Sequence, residues 1–314
     1  MQTQKLHIAL VAGGTSGERE VSLSGAAGVE KALDSEKFIV SRYDPATDLA
    51  LLAADAPKLD FAFILLHGLF GEDGTMQGFL DLLRVPYQGS GVLGSAIAMD
   101  KHLAKELYKL NGLPVADWQI IGSGDEVNID ALVTRFGLPV VIKPVREGSS
   151  LGLTLAETRE QLIDGIEKAQ SHDSQIMIEK YISGRELTVG VLGNEELRGL
   201  PVIEIVPGEG FSFFDYDAKY KAGASEEICP AEISDELTAL VQKYGVAAHK
   251  ALRLTGYSRT DIMLSEDGSL YLLETNTIPG MTPTSLMPQA AAEYGLDFPE
   301  FLEKLIELGL QTDG

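Results

Sequence analysis

The spacing of apolar and polar positions changes repeatedly along the chain, and those changes predict a mixed α/β protein. Residues 6–12 (Leu-His-Ile-Ala-Leu-Val-Ala) are almost continuously apolar, as expected of a strand covered on both faces. A glycine-rich turn, Gly13-Gly14-Thr15-Ser16-Gly17, leads into a helix expected from Glu18 to about Leu33. A strand at 38–43, a short helix near 47–54 and a strand at 61–66 complete a βαβαβ start, which implies a parallel sheet with right-handed crossovers. Ligands of such sheets gather at the carboxyl ends of the strands, where Gly13-Gly14…Glu18 and His67-Gly68 fall.

Further along, an amphipathic run ends near Arg84, and a long helix is expected over about 95–110, stopped by Asn111-Gly112-Leu113-Pro114. Residues 139–144 read as a strand ending in Lys143-Pro144, followed by a small-residue loop from Arg146 to Gly152 and a second strand. Such a loop can turn backbone N–H groups and serine hydroxyls toward phosphate, or be an ordinary hairpin tip. A helix at 158–170, a strand at 176–182, and an antiparallel pair at 185–192 and 197–206 follow. The stretch from Pro207 to Pro230 has no clear period, and a loop that long inside a compact domain usually serves as a lid or binding element. A helix at 234–254, a turn at Ser285 and a last helix from about 298 complete the reading.

Between these helices, residues 259–276 hold two alternating runs around Asp267-Gly268, a hairpin signal. A two-residue turn there sets Asp261 opposite Glu274 and Arg259 opposite Asn276, all on one face, with Met263 and Leu272 next along it. Ile262, Leu264, Tyr271 and Leu273 are then the core face. A turn of three or five residues would break this register. Two carboxylates facing each other across a ladder lie ~5 Å apart and repel unless a cation joins them. Oxygen donors with an amide beside them suit Mg²⁺ or Mn²⁺. The alternative is a surface hairpin with solvated acids.

Composition narrows the functions. A formal net charge of −22 argues against nucleic-acid binding, which needs clustered Lys and Arg, though not against a single nucleotide. Cys229 is the lone cysteine, so no disulfide framework is expected; it reads as a small buried residue. No signal-peptide pattern opens the chain and no apolar run reaches membrane-spanning length, so a cytoplasmic protein without membrane insertion is expected. The glycine loop matches neither the dinucleotide fingerprint nor the Walker A pattern. Taken singly, Glu18 can be a first-turn acid that compensates the helix dipole, and His67 a satisfied strand-end histidine.

Taken together, the motifs carry more. Gly13–Ser22, His67-Gly68…Gly71-Glu72-Asp73-Gly74-Thr75, Met99-Asp100-Lys101, Lys143-Pro144…Arg146–Ser150, Asp215–Tyr220, Arg259-Thr260-Asp261 and Glu274-Thr275-Asn276-Thr277…Pro279-Gly280-Met281-Thr282 occur in this order. In this the chain resembles the D-alanine–D-alanine ligases of the ATP-grasp superfamily over nearly its whole length. The resemblance implies a Rossmann-like parallel-sheet domain (1–100) followed by a two-part ATP-grasp fold (101–183 and 184–314), with a lid loop at 207–229. It implies ATP-dependent joining of two D-alanine molecules through a D-alanyl phosphate, for peptidoglycan precursor synthesis, by a homodimer.

Roles follow position by position from the same resemblance. Lys101 and Lys143 correspond to lysines on the α- and β-phosphates, and Ser149, Ser150 and Gly152 to the phosphate loop. Glu179, Lys180 and Ile182 correspond to the adenine-binding linker, Glu186 to the ribose contact and Phe213 to a side chain beside the base, with Lys219 also toward the nucleotide. Asp261, Glu274 and Asn276 correspond to the ligands of two Mg²⁺ ions, for which Mn²⁺ can substitute. Glu18 and His67 correspond to the first D-alanine subsite. Arg259 and the Gly280 N–H correspond to the oxyanion stabilisers, and Ser285 and Leu286 to the second carboxylate contacts. Tyr220, linked toward Glu18 and Ser149, accompanies dipeptide rather than depsipeptide formation. Another ATP-grasp ligase, using D-lactate or other amino acids, and a nucleotide-binding regulator without turnover are the rival readings.

Overall fold

A computed structural model describes residues 5–208 and 225–311. Three sheets organise it. The first is parallel: β1 (Leu6–Val11) lies between β2 (Phe38–Tyr43) and β3 (Phe61–Ile64). Ile8, Ala9, Leu10 and Val11 are completely buried, as the unbroken apolar run requires. Helices α1 (Arg19–Ala32), α2 (Leu49–Asp55) and α3 (Thr75–Leu83) connect or follow its strands. The glycine turn after β1 is pinned from both sides. Ser22 Oγ accepts from the Gly13 N–H at 2.8 Å, and Asp44, itself paired with Arg19, accepts from the Gly14 N–H at 2.9 Å. Gly13 has φ +96°, and a Cβ there would lie 2.7 Å from the Asp44 carboxyl carbon, so glycine is required.

The helix expected over 95–110 is two helices, α4 (Val92–Met99) and α5 (Lys101–Leu110). Asp100 between them is extended, and its carboxylate accepts from the His102 and Leu103 N–H groups. An N-cap aspartate thus starts a new helix inside an apparently continuous pattern.

The second sheet has the order β4–β7–β5–β6, from β4 (Trp118–Gly122), β7 (Gln175–Lys180), β5 (Val140–Pro144) and β6 (Thr154–Ala156). Helices α6 (Ile129–Phe136) and α7 (Arg159–Gln170), the latter begun by a Thr158–Gln161 capping box, close its core. The phosphate-loop candidate joins antiparallel β5 and β6.

The third sheet runs β11–β10–β8–β12–β13, with β9 also on β8. Its strands are β8 (Gly184–Leu192), β9 (Arg198–Gly199), β10 (Ile203–Pro207), β11 (Ser225–Ile228), β12 (Tyr257–Ser265) and β13 (Leu270–Asn276). The expected strand at 197–206 is therefore two pieces, separated around Pro201, which has no N–H to give a ladder. Helix α8 (Asp235–Ala251) packs on one face with α5. After the turn at Ser285 comes a helix the pattern did not show, α9 (Leu286–Tyr294), and then α10 (Phe298–Gln311); both join the core beneath β1 and α1. Pro288 inside the first turn of α9 obscured it, although proline is tolerated there.

Candidate active site

The hairpin at the centre of the site pairs Arg259 with Asn276 and Asp261 with Glu274, as expected. The route to that register differs. Three residues, Glu266-Asp267-Gly268, separate the paired Ser265 and Ser269, so the turn is one residue longer than assumed. A bulge then places Leu273 as an extra residue on β13 between the Ile262–Leu272 and Asp261–Glu274 pairs. The two departures cancel. Beyond the bulge Met263 faces Tyr271, not Leu272. The core face is accordingly Ile262, Leu264, Leu270 and Leu272, whereas Leu273 and Met263 border a cleft beside the acids.

That cleft has a volume of about 310 Å³ and lies between the second and third sheets. Lys101, Lys143, Ser149, Ser150, Glu179, Lys180, Ile182, Glu186, Asp261 and Glu274 all line it. Gly152 does not; it sits in the same loop against Pro144 and His172. Phe213, Lys219, Tyr220 and most of the expected lid fall outside the described residues.

Cations and acids are interleaved here. Lys101 Nζ lies 3.3 Å from Glu274 Oε2 and donates to the Glu147 carbonyl at 2.6 Å. Lys143 Nζ donates to Glu179 Oε2 at 2.7 Å. Burial opposes the Lys143 charge, but Glu179 outweighs it and holds the lysine pKa above its ordinary value. Glu179 is likewise held low, against its burial, by Lys105 and Lys143. Lys105 escaped sequence reasoning. The available signal was a lysine one helical turn after Lys101, beside Ala104 and one turn before Tyr108 on the apolar face of α5.

A buried cluster of polar side chains adjoins the cleft. Glu18 stands at the N-terminal end of α1 without a side-chain capping bond, is 7% exposed and accepts a hydrogen bond from Ser149 Oγ. Gly148 permits that approach, since a Cβ there would come within 2.9 Å of Glu18 Oε2. His67 is buried nearby, its pKa driven down by burial although Glu18 pulls it up. Glu72, present in the sequence reading only as a member of the Gly71–Thr75 motif, accepts from the Gly68 N–H at 2.8 Å. Burial, reinforced by the charge of Glu18, pushes its carboxyl up to about 8.

Arg259 connects the cleft to this cluster: it bonds Asp261, and its charge acts on His67 and Glu72. Its Nε and Nη2 donate to Asp261 at 2.9 and 2.8 Å, and Thr188 Oγ1 and Asn276 Nδ2 also donate to that carboxylate, at 2.6 and 3.2 Å. Burial opposes the Arg259 charge, yet Asp261 raises its pKa. In the 277–285 loop, Ser285 Oγ accepts from the Thr282 N–H at 3.0 Å and lies 3.0 Å from where a Gly280 Cβ would be. Leu286 begins α9 and packs on the core.

Known proteins resemble this chain over nearly its whole length. Family models described as "D-ala D-ala ligase C-terminus" and "D-ala D-ala ligase N-terminus" match residues 107–307 and 46–90. The chain is 63% identical over 311 residues to a D-alanine--D-alanine ligase of Desulfotalea psychrophila, covering 99% of this chain and 97% of that one. The chain belongs to the D-alanine–D-alanine ligase family. The D-alanine--D-alanine ligase of Bacillus anthracis complexed with ATP superposes with a TM-score of 0.85 at 33% identity, covering 98% of each chain. The VanG D-Ala:D-Ser ligase of Enterococcus faecalis does so with a TM-score of 0.83 at 32% identity, covering 98% of this chain and 100% of that one. The mixed α/β architecture is thus that of the D-alanine–D-alanine ligases, with their ATP-grasp fold. Among the described residues, no helix is long and apolar enough to cross a membrane.

Proposed function

We propose that this protein uses ATP to join two D-alanine molecules into D-alanyl-D-alanine, a peptidoglycan precursor. The carrying observation is the cleft and the polar cluster beside it: lysines and serines line the cleft with Asp261 and Glu274, and the Ser149–Glu18 and Arg259–Asp261 contacts link it to the cluster. A carboxylate is a poor electrophile, so ATP is needed to give it a leaving group. The carboxylate of the first D-alanine attacks the γ-phosphorus, the bond to the bridging oxygen breaks, and ADP leaves an acyl phosphate. The amine of the second D-alanine, having lost a proton, attacks the acyl carbon; the tetrahedral intermediate collapses and phosphate departs.

Lys101 and Lys143 neutralise phosphate charge, and Ser149 and Ser150 donate to phosphate oxygens, with Gly152 closing the loop. Lys180, Ile182 and Glu179 hold the base and Glu186 the ribose. Glu18 binds the first ammonium, with His67 near its carboxylate. Arg259 and the Gly280 N–H stabilise the oxyanion, and Ser285 with Leu286 places the second carboxylate. Among the described residues, no three His, Cys, Asp or Glu side chains form a metal cluster. The all-oxygen set of Asp261, Glu274 and the Asn276 amide nevertheless fits hard divalent ions, with arginine and lysine compensating the acids meanwhile. These three residues would hold two Mg²⁺ ions, or Mn²⁺, whose contribution is to neutralise phosphate charge. We also assign three domains (1–100, 101–183 and 184–314), a cytoplasmic location and a homodimer.

The test is phosphate release from ATP with D-alanine as sole co-substrate, and identification of the product by mass. ATP consumption that ignores D-alanine would overturn the reading. The likeness to a D-Ala:D-Ser ligase supports a second one, a mixed dipeptide, which D-serine in the same assay distinguishes by product mass.

A further inference from the structure

Behind the cleft, one carboxylate is shared by two ammonium groups. Glu179, 3% exposed, turns Oε2 to Lys143 and pairs through Oε1 with Lys105. Lys143 borders the cleft; Lys105 does not and is completely buried. The Lys105 Nζ also donates to the Leu272 carbonyl at 3.3 Å and lies 5.6 Å from the Trp118 ring centroid. Burying a lysine is costly, and an apolar side chain of similar length would fill the same space without that cost. The carbonyl and the ring favour the ammonium, as does Glu179, yet burial still lowers the Lys105 pKa, so these local contacts do not by themselves account for a charge buried here.

The charge count supplies a reason. Glu179 alone would cancel Lys143 and leave a neutral pair facing the phosphates. A second lysine on the far side of Glu179 restores one net positive charge to the trio, in surroundings where charges interact more strongly than in water. We infer that Lys105 is a positioning residue for nucleotide binding: it holds Glu179 from behind and offsets its charge, leaving the charge of Lys143 for the phosphates of ATP. Lys105 touches no substrate and acts only through Glu179. The inference rests on the nucleotide reading of the cleft, so wild-type binding of ATP with Mg²⁺ is measured first. If wild type binds no ATP, that reading fails; the remaining comparisons test Lys105 itself.

Lys105→Met keeps the length and removes the charge. The expected result is about tenfold weaker ATP binding and a raised KM for ATP, with kcat for dipeptide formation changed far less. Affinity for adenosine, which carries no phosphate, stays within about twofold, since only the charge facing phosphate has changed. Lys105→Arg keeps the charge and retains most of the ATP affinity. Adding Glu179→Gln to Lys105→Met restores the net charge; since Glu179 is also assigned to the base, which ATP and adenosine share, the readout is the preference for ATP over adenosine, and it recovers toward wild type in the double variant. The inference is overturned if folded Lys105→Met binds ATP like wild type, if ATP and adenosine affinities fall together, or if the double variant prefers ATP over adenosine no more than the single one. Should Lys105→Met fail to fold, the double variant, which no longer buries a carboxylate at position 179, is compared with wild type. A preference for ATP over adenosine within about threefold of wild type then supports the inference, and a larger loss of that preference overturns it.

Discussion

Arg259 grips Asp261, two residues along the same strand, through two parallel hydrogen bonds of 2.9 and 2.8 Å. The side chain assigned to the oxyanion thereby fixes one assigned to the metal, so the two halves of the reaction share a contact. Lysine cannot reproduce this two-point geometry. Arg259→Lys is expected to lower kcat roughly 10²-fold with a near-normal melting temperature, measured by ADP release and thermal denaturation. An unchanged kcat in a folded variant would remove Arg259 from the chemistry.

Glu274 is the acid next to Lys101, with a half-buried side chain that Gln can replace without loss of volume. Glu274→Gln is expected to reduce Mg²⁺-ATP turnover at least about 100-fold while circular dichroism stays unchanged. Wild-type turnover titrated against Mg²⁺ provides the reference, and a variant equal to it would refute the metal assignment.

Glu72 gives a pH-dependent contribution to stability. Its carboxyl is pushed up from 4.5 to about 8, first by burial and then by the charge of Glu18. The folded state therefore keeps a proton that the unfolded chain releases. Its contribution is complete below pH 4.5 and is lost as pH rises through 8. Glu72→Gln cannot titrate, so the melting temperature of wild type is expected to fall more between pH 6 and 8 than that of the variant. Parallel curves would refute the assignment.

His249 acts on the other side of neutrality. Fully buried on α8 and bonded to Ser258 Oγ at 2.8 Å, it is driven by burial from 6.5 to about 4. The unfolded histidine takes up a proton where the folded one does not. Its contribution is complete above pH 6.5 and declines as pH falls toward 4, by roughly 3 kcal/mol in all. Urea titrations of wild type and His249→Gln at pH 7 and 5 are expected to show a smaller pH difference in the variant.

Much of the fold was legible because the apolar run at 6–12 and the alternation at 259–276 report burial directly. The opposition of Asp261 and Glu274 was also legible, though for an incomplete reason. Alternation does not reveal an odd turn at 266–268 offset by a bulge at Leu273, because each moves the register by one residue and only their difference shows. The break at Asp100 was hidden since an N-cap is local chemistry set inside an unbroken apolar period. Lys105 was hidden for another reason: what makes it important is Glu179, which lies 74 positions away in sequence and meets it only after folding. Gly280, Ser285 and Leu286 drew attention through resemblance alone, their loop having no period to read.

The bulge at Leu273 also bears on how this stretch can tolerate change. A straightened strand would slide by one position, setting Asp261 against Leu273 and sending Glu274 inward opposite Thr260, beside Ile262 and Leu272. A bare carboxylate among those aliphatic groups is strongly disfavoured, and this discourages the misaligned ladder. Replacing Glu274 with leucine would lift that penalty. Drift toward an apolar residue at this position therefore threatens strand alignment as well as turnover, whereas drift toward another polar residue threatens turnover alone.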